Sequence, residues 1–127
     1  MSKPLPKNER ISIYRKRNVK WRNSNGEGTF LEKHYLNSKG QKFWASVRQV
    51  VAQQNVTQDA TYDSNTFLVT INKKDLPEGV YYVEWKKMVM KVMQIDIYDG
   101  KSDVKLTCQH IDSDSSSYSR ITYGGSL

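Results

Sequence analysis

The sequence is poor in the residues that build most catalytic and metal sites. Its 127 residues include one cysteine, two histidines and three prolines. Cys108 has no second cysteine to pair with, which excludes an internal disulfide framework and fits a reducing compartment. No apolar run approaches the roughly 18 residues of a membrane span, so none is expected. The opening "MSKPLPKNER" is positively charged but lacks the apolar stretch of a secretory signal, so no leader is expected either. Cys108 and His110 stand two apart and would share a strand face. A zinc site needs about four N/S ligands, and a nucleophilic pair needs an orienting group and a pocket. The expected role of Cys108 is therefore that of a small apolar residue in a strand. P-loop, GxGxxG, HExxH and GxSxG patterns are all missing, and the acids show no spacing of a carboxylate pair. Neither an enzyme nor a resident cofactor or metal is expected.

Charge is present but unevenly placed. Residues 1–22 hold Lys3, Lys7, Arg10, Arg15, Lys16, Arg17, Lys20 and Arg22 against Glu9 alone, which accounts for the whole net charge of +7. A basic end of this kind contacts nucleic-acid phosphates or an acidic protein surface, or serves as a solvated face. Apolar residues make up 37%, enough for one small core and little more.

The hydrophobic pattern has period two, which predicts a mainly β chain. Residues 1–9, with Pro4 and Pro6, read as a flexible basic arm. Ile11 and Ile13 begin the first strand, with Val19 and Trp21 extending it. "TFLEKHYL", "NSKG" and "QKFWASVRQV" read as strand, turn, strand. Phe43, Val47, Val50, Val51 and Gln54 also fit helical spacing, so that stretch stays open between strand and helix. Residues 52–65 are polar and long for a connection, where the median is about 4–6 residues. "TFLVTI" is a β-branched strand. In 81–112 the apolar parity changes, which a hairpin tip at Trp85-Lys86-Lys87 and a bulge near Val92-Met93 reconcile. Asp99-Gly100 signals a further hairpin. Residues 113–127 are serine-rich and read as a flexible tail unless a partner orders them. The expected core is Phe30, Phe43, Trp44, Val47, Phe67, Val69, Ile71, Val83, Trp85, Ile95, Ile97, Val104 and Leu106, with Met88, Met90 and Met93 as further core residues.

This order of elements resembles the head-closure, or stopper, proteins of long-tailed bacteriophages, also called head–tail connector proteins. "RISIYRKR", "WASV" at 44–47, "NTFLVTI", "VEWKKMVMKVMQID" and "VKLTCQHID" carry the likeness over residues 10–112. The resemblance implies a small β-barrel of about six to seven antiparallel strands with a long inserted loop. It implies a homo-oligomeric ring in the virion, made in the bacterial host cytoplasm. The ring would sit between a portal-side adaptor and a tail-completion protein, closing the channel on packaged double-stranded DNA and offering the tail a docking platform. It places the loop of residues 49–65 toward the channel, with Gln49, Gln53, Gln54, Asn55, Gln58, Asp59 and Asp63 as its polar side chains. The basic residues of the arm and first strand would touch an acidic neighbour or channel DNA. Trp85, Lys86 and Lys87 would form an interface at the hairpin tip.

Two other readings compete. A small β-barrel binding single-stranded nucleic acid would stack bases on Tyr14, Trp21 and Trp44 beside the basic residues. Another virion ring, such as a tail terminator or tail-completion protein, would share the β-rich composition.

Overall fold

In a computed structural model, residues 6–50, 66–97 and 102–124 are described, with backbone alone at Ile97. Eight strands follow in chain order: β1 (Glu9–Asn23), β2 (Gly26–Tyr35), β3 (Phe43–Gln49), β4 (Thr66–Asn72), β5 (Tyr81–Trp85), β6 (Met88–Ile97), β7 (Asp103–Ile111) and β8 (Arg120–Tyr123). Among the described residues there is no helix. The sheet runs β3-β4-β7-β6-β5-β1, and Glu9–Ile11 of β1 then pairs with Phe43–Ala45 of β3. Six antiparallel strands thus form a closed ring. β2 and β8 lie outside it, and β8 pairs β2 in parallel.

β2 and β3 are two stretches of one rail along β1. The Leu36 N–H donates to the Ile13 carbonyl at 2.8 Å, Asn37 Oδ1 accepts from the Ile13 N–H at 3.3 Å, and Phe43 lies opposite Ile11. Residues between Asn37 and Phe43 bow out, and Gly40 supplies a positive φ of 81° that other residues rarely adopt.

Alternation built these strands because each has one face toward the ring interior. Ile11, Ile13, Ala45, Phe67, Val69, Ile71, Tyr81, Val83, Met90, Val104, Leu106 and Cys108 form the buried cluster. Each large apolar side chain contributes ~1.5–3 kcal/mol by leaving water. The stretch open between strand and helix is strand over Phe43–Gln49. There Ala45 faces Ile71 and Val47 faces Val69, and cross-strand burial outweighs the helix propensity of Ala and Gln.

The parity change in 81–97 has the expected cause. Lys86 and Lys87 take φ of 49° and 66° in a two-residue turn that pairs Trp85 with Met88. The register shifts between Val92 and Gln94, leaving Met93 unpaired.

Several expected core residues lie elsewhere. Trp44 is 51% exposed, because its neighbours Phe43 and Ala45 take the inward positions of alternating parity. Met93 is 57% exposed because the bulge turns it out, whereas Met90 is buried. Phe30 is half-buried outside the cluster, with the Arg120 guanidinium 4.9 Å from its ring. Phe43, Val47, Trp85, Met88 and Ile95 pack partly buried against the cluster. The Asp99-Gly100 hairpin lies outside the described residues.

The serine-rich segment is not loose over residues 113–124. It crosses the outer face of the sheet and ends as β8 on β2. Its few aliphatic residues hid this from a hydrophobic reading, since its anchors are polar groups and the rings of Tyr118 and Tyr123.

Candidate functional site

β1 and β5, like β4 at Val69–Ile71, are buried on both faces. Ile11, Ser12, Ile13 and Tyr14 are buried in succession, as are Tyr81, Tyr82 and Val83. One face belongs to the ring core, and the other needs a second cover. Such unbroken runs, "ISIY" and "YYV", are the sequence signal of two-sided burial.

The second cover is a cluster of tyrosines on the outer face. Tyr14 stacks on Tyr82 with ring centroids 5.2 Å apart, meets Tyr35 edge-on at 5.5 Å, and meets Tyr118 edge-on at 6.4 Å. Tyr35 stacks on Tyr123 at 5.0 Å. The Lys33 ammonium lies 4.5 Å from the Tyr14 centroid and 5.0 Å from that of Tyr118, and Lys16 sits 4.7 Å from Tyr82. Cations over desolvated rings of this kind gain ~0.5–2 kcal/mol each.

Two carboxylates finish the cluster. Asp114 accepts hydrogen bonds from the Tyr14 hydroxyl at 2.6 Å, from the Tyr118 hydroxyl and from the Ser116 backbone, with Lys16 at 3.3 Å. Burial works to raise its pKa, but those donors outweigh it and hold the carboxyl well below its usual range. Glu84 accepts from the Tyr35 hydroxyl at 2.8 Å and faces Lys33 at 3.7 Å. Burial, and then the neighbouring carboxylate, raises the hydroxyls of Tyr14 and Tyr35 well above the usual phenol range and that of Tyr118 to about 12.

On the opposite face of β2, Glu32 has a side chain only 3% exposed. It holds Arg120 at 2.7 Å and Arg17 at 3.6 Å. Burial raises its pKa, and Arg120, then the Thr122 hydroxyl and Arg17, bring it below the usual value. His34 Nδ1 lies 2.7 Å from the Thr122 hydroxyl, and burial with the Arg17 and Arg15 charges lowers its pKa.

These contacts engage most of the basic residues singled out from the sequence. Lys7 pairs with Asp103 at 3.0 Å, Lys16 with Asp114, Arg17 with Glu32, and Arg22 weakly with Glu27 at 3.9 Å. The Arg10 guanidinium lies 4.3 Å from the Trp44 ring. Arg15 packs by Gly79, its Nε buried with no hydrogen-bond partner among the described residues. Lys20 is exposed, and Lys3 lies outside the described residues. At the hairpin tip Lys86 and Lys87 are exposed. Trp85 is drawn inward: its indole N–H donates to Glu9 at 2.9 Å and its ring meets Phe67 edge-on. Of the residues expected to face the channel, Gln49 ends β3 opposite Phe67. Gln53, Gln54, Asn55, Gln58, Asp59 and Asp63 lie outside the described residues.

No protein-family model, curated protein or solved structure matches the chain. Its own geometry therefore carries the functional argument.

Two features reach beyond the ring. β5 pairs β1 only up to Arg15, and β8 pairs β2 only from Glu32, so Lys16–Asn23 and Gly26–Leu31 project as a two-stranded ribbon. Trp21 lies across the ribbon over Gly28, where a Cβ would meet its ring at 2.9 Å, and it remains 41% exposed. An open groove of about 520 Å³ continues from the tyrosine cluster, between Arg10, Ser12, Tyr35, Lys42, Glu84 and Tyr123. Among the described residues no three His, Cys, Asp or Glu side chains gather to hold a metal. Cys108 is buried, which pushes its thiol up to about 12 and makes it a poor nucleophile. Sequence reasoning missed Lys33, Tyr35, Glu84, Asp114 and Tyr118 as one constellation.

Proposed function

We propose that this chain is a structural virion protein: a subunit of a homo-oligomeric ring in a bacteriophage head–tail connector, closing the DNA channel after packaging and offering a platform for the tail. The observation that carries this reading is the junction of β3 and β4. The Val50 N–H donates to the Thr66 carbonyl at 2.9 Å, and Gln49 lies opposite Phe67. Strands that meet this closely need only a turn of about 2–5 residues. The chain instead inserts residues 51–65, a polar segment without lysine, arginine, proline or glycine. A surplus connection rooted on a rigid ring suits a function beyond closing the hairpin. The projecting ribbon supports the same reading. Two strands without a third are marginal in water, and a subunit contact gives the ribbon its cover.

The single-stranded nucleic-acid alternative fits less well. Tyr14 is buried, and Lys16 and Arg17, which would neutralise phosphates, are paired with carboxylates inside the chain.

The test replaces Gln53–Thr61 with a Gly-Ser link and adds the purified variant to DNA-filled heads. The expected result is normal binding of the ring to the heads, followed by loss of DNA before tails attach. Heads that keep their DNA and reach wild-type infectivity overturn the channel role of the segment. A native chain that neither assembles nor joins heads, yet binds oligonucleotides with steep salt dependence, overturns the connector reading as a whole.

A further inference from the structure

The C-terminal segment lies as a strap outside the ring. None of the residues of the ring's buried cluster lies beyond Cys108, so the core closes without residues 112–124. β8 also stands outside the six-stranded ring, as an added edge on β2. What holds the segment is a set of polar contacts, Asp114 under Tyr14, Ser116 at 2.6 Å from Lys16, Arg120 on Glu32 and Thr122 beside His34, together with two ring contacts, Tyr118 on Tyr14 and Tyr123 on Tyr35. The backbone adds the Ser119 N–H to Leu31 and the Gly124 N–H to Tyr35. Ile121, the one aliphatic side chain of β8, is exposed. Asp112 and Ser113, which link the strap to the end of β7, are exposed too.

The receiving surface, by contrast, is desolvated and specific. Without the strap, Tyr14 and Tyr82 would face water beside two lysines, and the Glu32 carboxylate would lose Arg120. The surface requires a cover with a carboxylate, a tyrosine four residues on, and a short strand beginning with arginine. This chain carries that cover in every copy.

We infer that β8 is an exchangeable strand: when copies assemble, residues 113–124 of one copy leave their own β2 and dock on the β2 edge and tyrosine face of the next. The inference rests on the ring reading for its setting. The same contacts form in cis and in trans, so exchange costs little contact energy and gains the linkage between copies. A short exposed link between core and strap is the place where such exchange turns.

The test mixes two full-length single variants, Lys33→Cys and Ile121→Cys, whose positions are neighbours across the β2–β8 register. A disulfide between them forms only when the strap of one copy lies on another, and buried Cys108 does not compete. The pair His34→Cys with Thr122→Cys, joined by a side-chain contact on the other face, repeats the test if the first variant loosens the cluster. Under oxidation of an equal mixture at assembly concentrations, up to about half of the chains should appear as mixed covalent dimers on non-reducing gels, and dilution before oxidation should abolish them. Absence of a mixed disulfide from both pairs overturns the exchange, including the case where a different protein displaces the strap. Light scattering separates the two readings. Rings without mixed disulfides leave the ring reading standing and remove the exchange, whereas mixed disulfides in closed dimers keep the exchange and remove the ring.

Discussion

The Tyr14 hydroxyl donates a 2.6 Å hydrogen bond to Asp114, one hundred residues further along the chain. That bond ties the first strand of the ring to the strap that covers it. A hydrogen bond to a charged group contributes ~1.5–3 kcal/mol, and Asp114 keeps Tyr118, Ser116 and Lys16 if it is lost. In the Tyr14→Phe variant, amide exchange at Ser119 and Gly124 should therefore quicken by about tenfold or more, while Val69 and Val104 keep their protection. Equal acceleration at all four would mean that strap and ring open as one unit.

Alkali should release the strap before it unfolds the ring. Tyr118 has a folded pKa raised to about 12 by burial and Asp114, against 10.0 for the free group. A raised pKa means that the protonated hydroxyl is favoured in the folded state. Its contribution is whole below about pH 10 and is lost as pH rises toward 12. Ultraviolet titration of phenolate, followed beside exchange at Ser119, should show strap opening within that window. Opening already complete at pH 9 would contradict the assignment.

The acid side has the opposite sign. Arg120 and Arg17 lower the Glu32 pKa and the hydrogen bonds of Asp114 lower its own, both despite burial. Depressed carboxyl pKa values contribute stability that is present above the ordinary carboxyl range and lost as pH falls through the folded values. The Glu32→Gln variant should flatten the acid limb of stability measured by urea unfolding between pH 5 and about pH 2. An unchanged limb would show that the Glu32 ion pairs contribute nothing to it.

The turn between β5 and β6 is open to improvement. Lys86 and Lys87 both hold positive φ, which costs an ordinary residue ~1 kcal/mol. Lys86→Asn with Lys87→Gly, the pair this turn type favours, should raise the urea midpoint by an amount worth about 1 kcal/mol. A loss of stability would point to the ion pair between Lys86 and Glu9 at 4.0 Å as the stronger term.

Two methionines three residues apart should differ sharply. Met90→Ala opens a cavity in the ring core and should cost about 2–5 kcal/mol. Met93→Ala, at the bulge, should stay within about 0.5 kcal/mol in chemical denaturation. Similar losses at both positions would refute the bulge.

Much of the ring was legible because period two leaves a mark wherever one strand face is buried. Val69 and Ile71, Val104 and Leu106, and the parity break at Met93 all follow from that single rule. Trp44 broke the reading by size alone, since a large aromatic beside Phe43 and Ala45 looks like core until alternation turns it outward. The tyrosine face was half legible: "ISIY" and "YYV" announce a second cover without saying which segment provides it.

The sequence by itself determined most strands of the ring, though it left β3 open to helix and missed β8, and with them most inward faces, the Lys86-Lys87 turn and the surplus length between β3 and β4. These are local matters, set by the alternation of neighbours and by turn chemistry. Only the tertiary structure decided that β1 closes the ring on β3, that the early lysines and arginines find carboxylates at Glu32, Asp103 and Asp114, and that the serine-rich end lies on Tyr14 and β2. Those pairings join residues far apart in the chain through polar atoms, and polar complementarity leaves no periodic trace along a sequence.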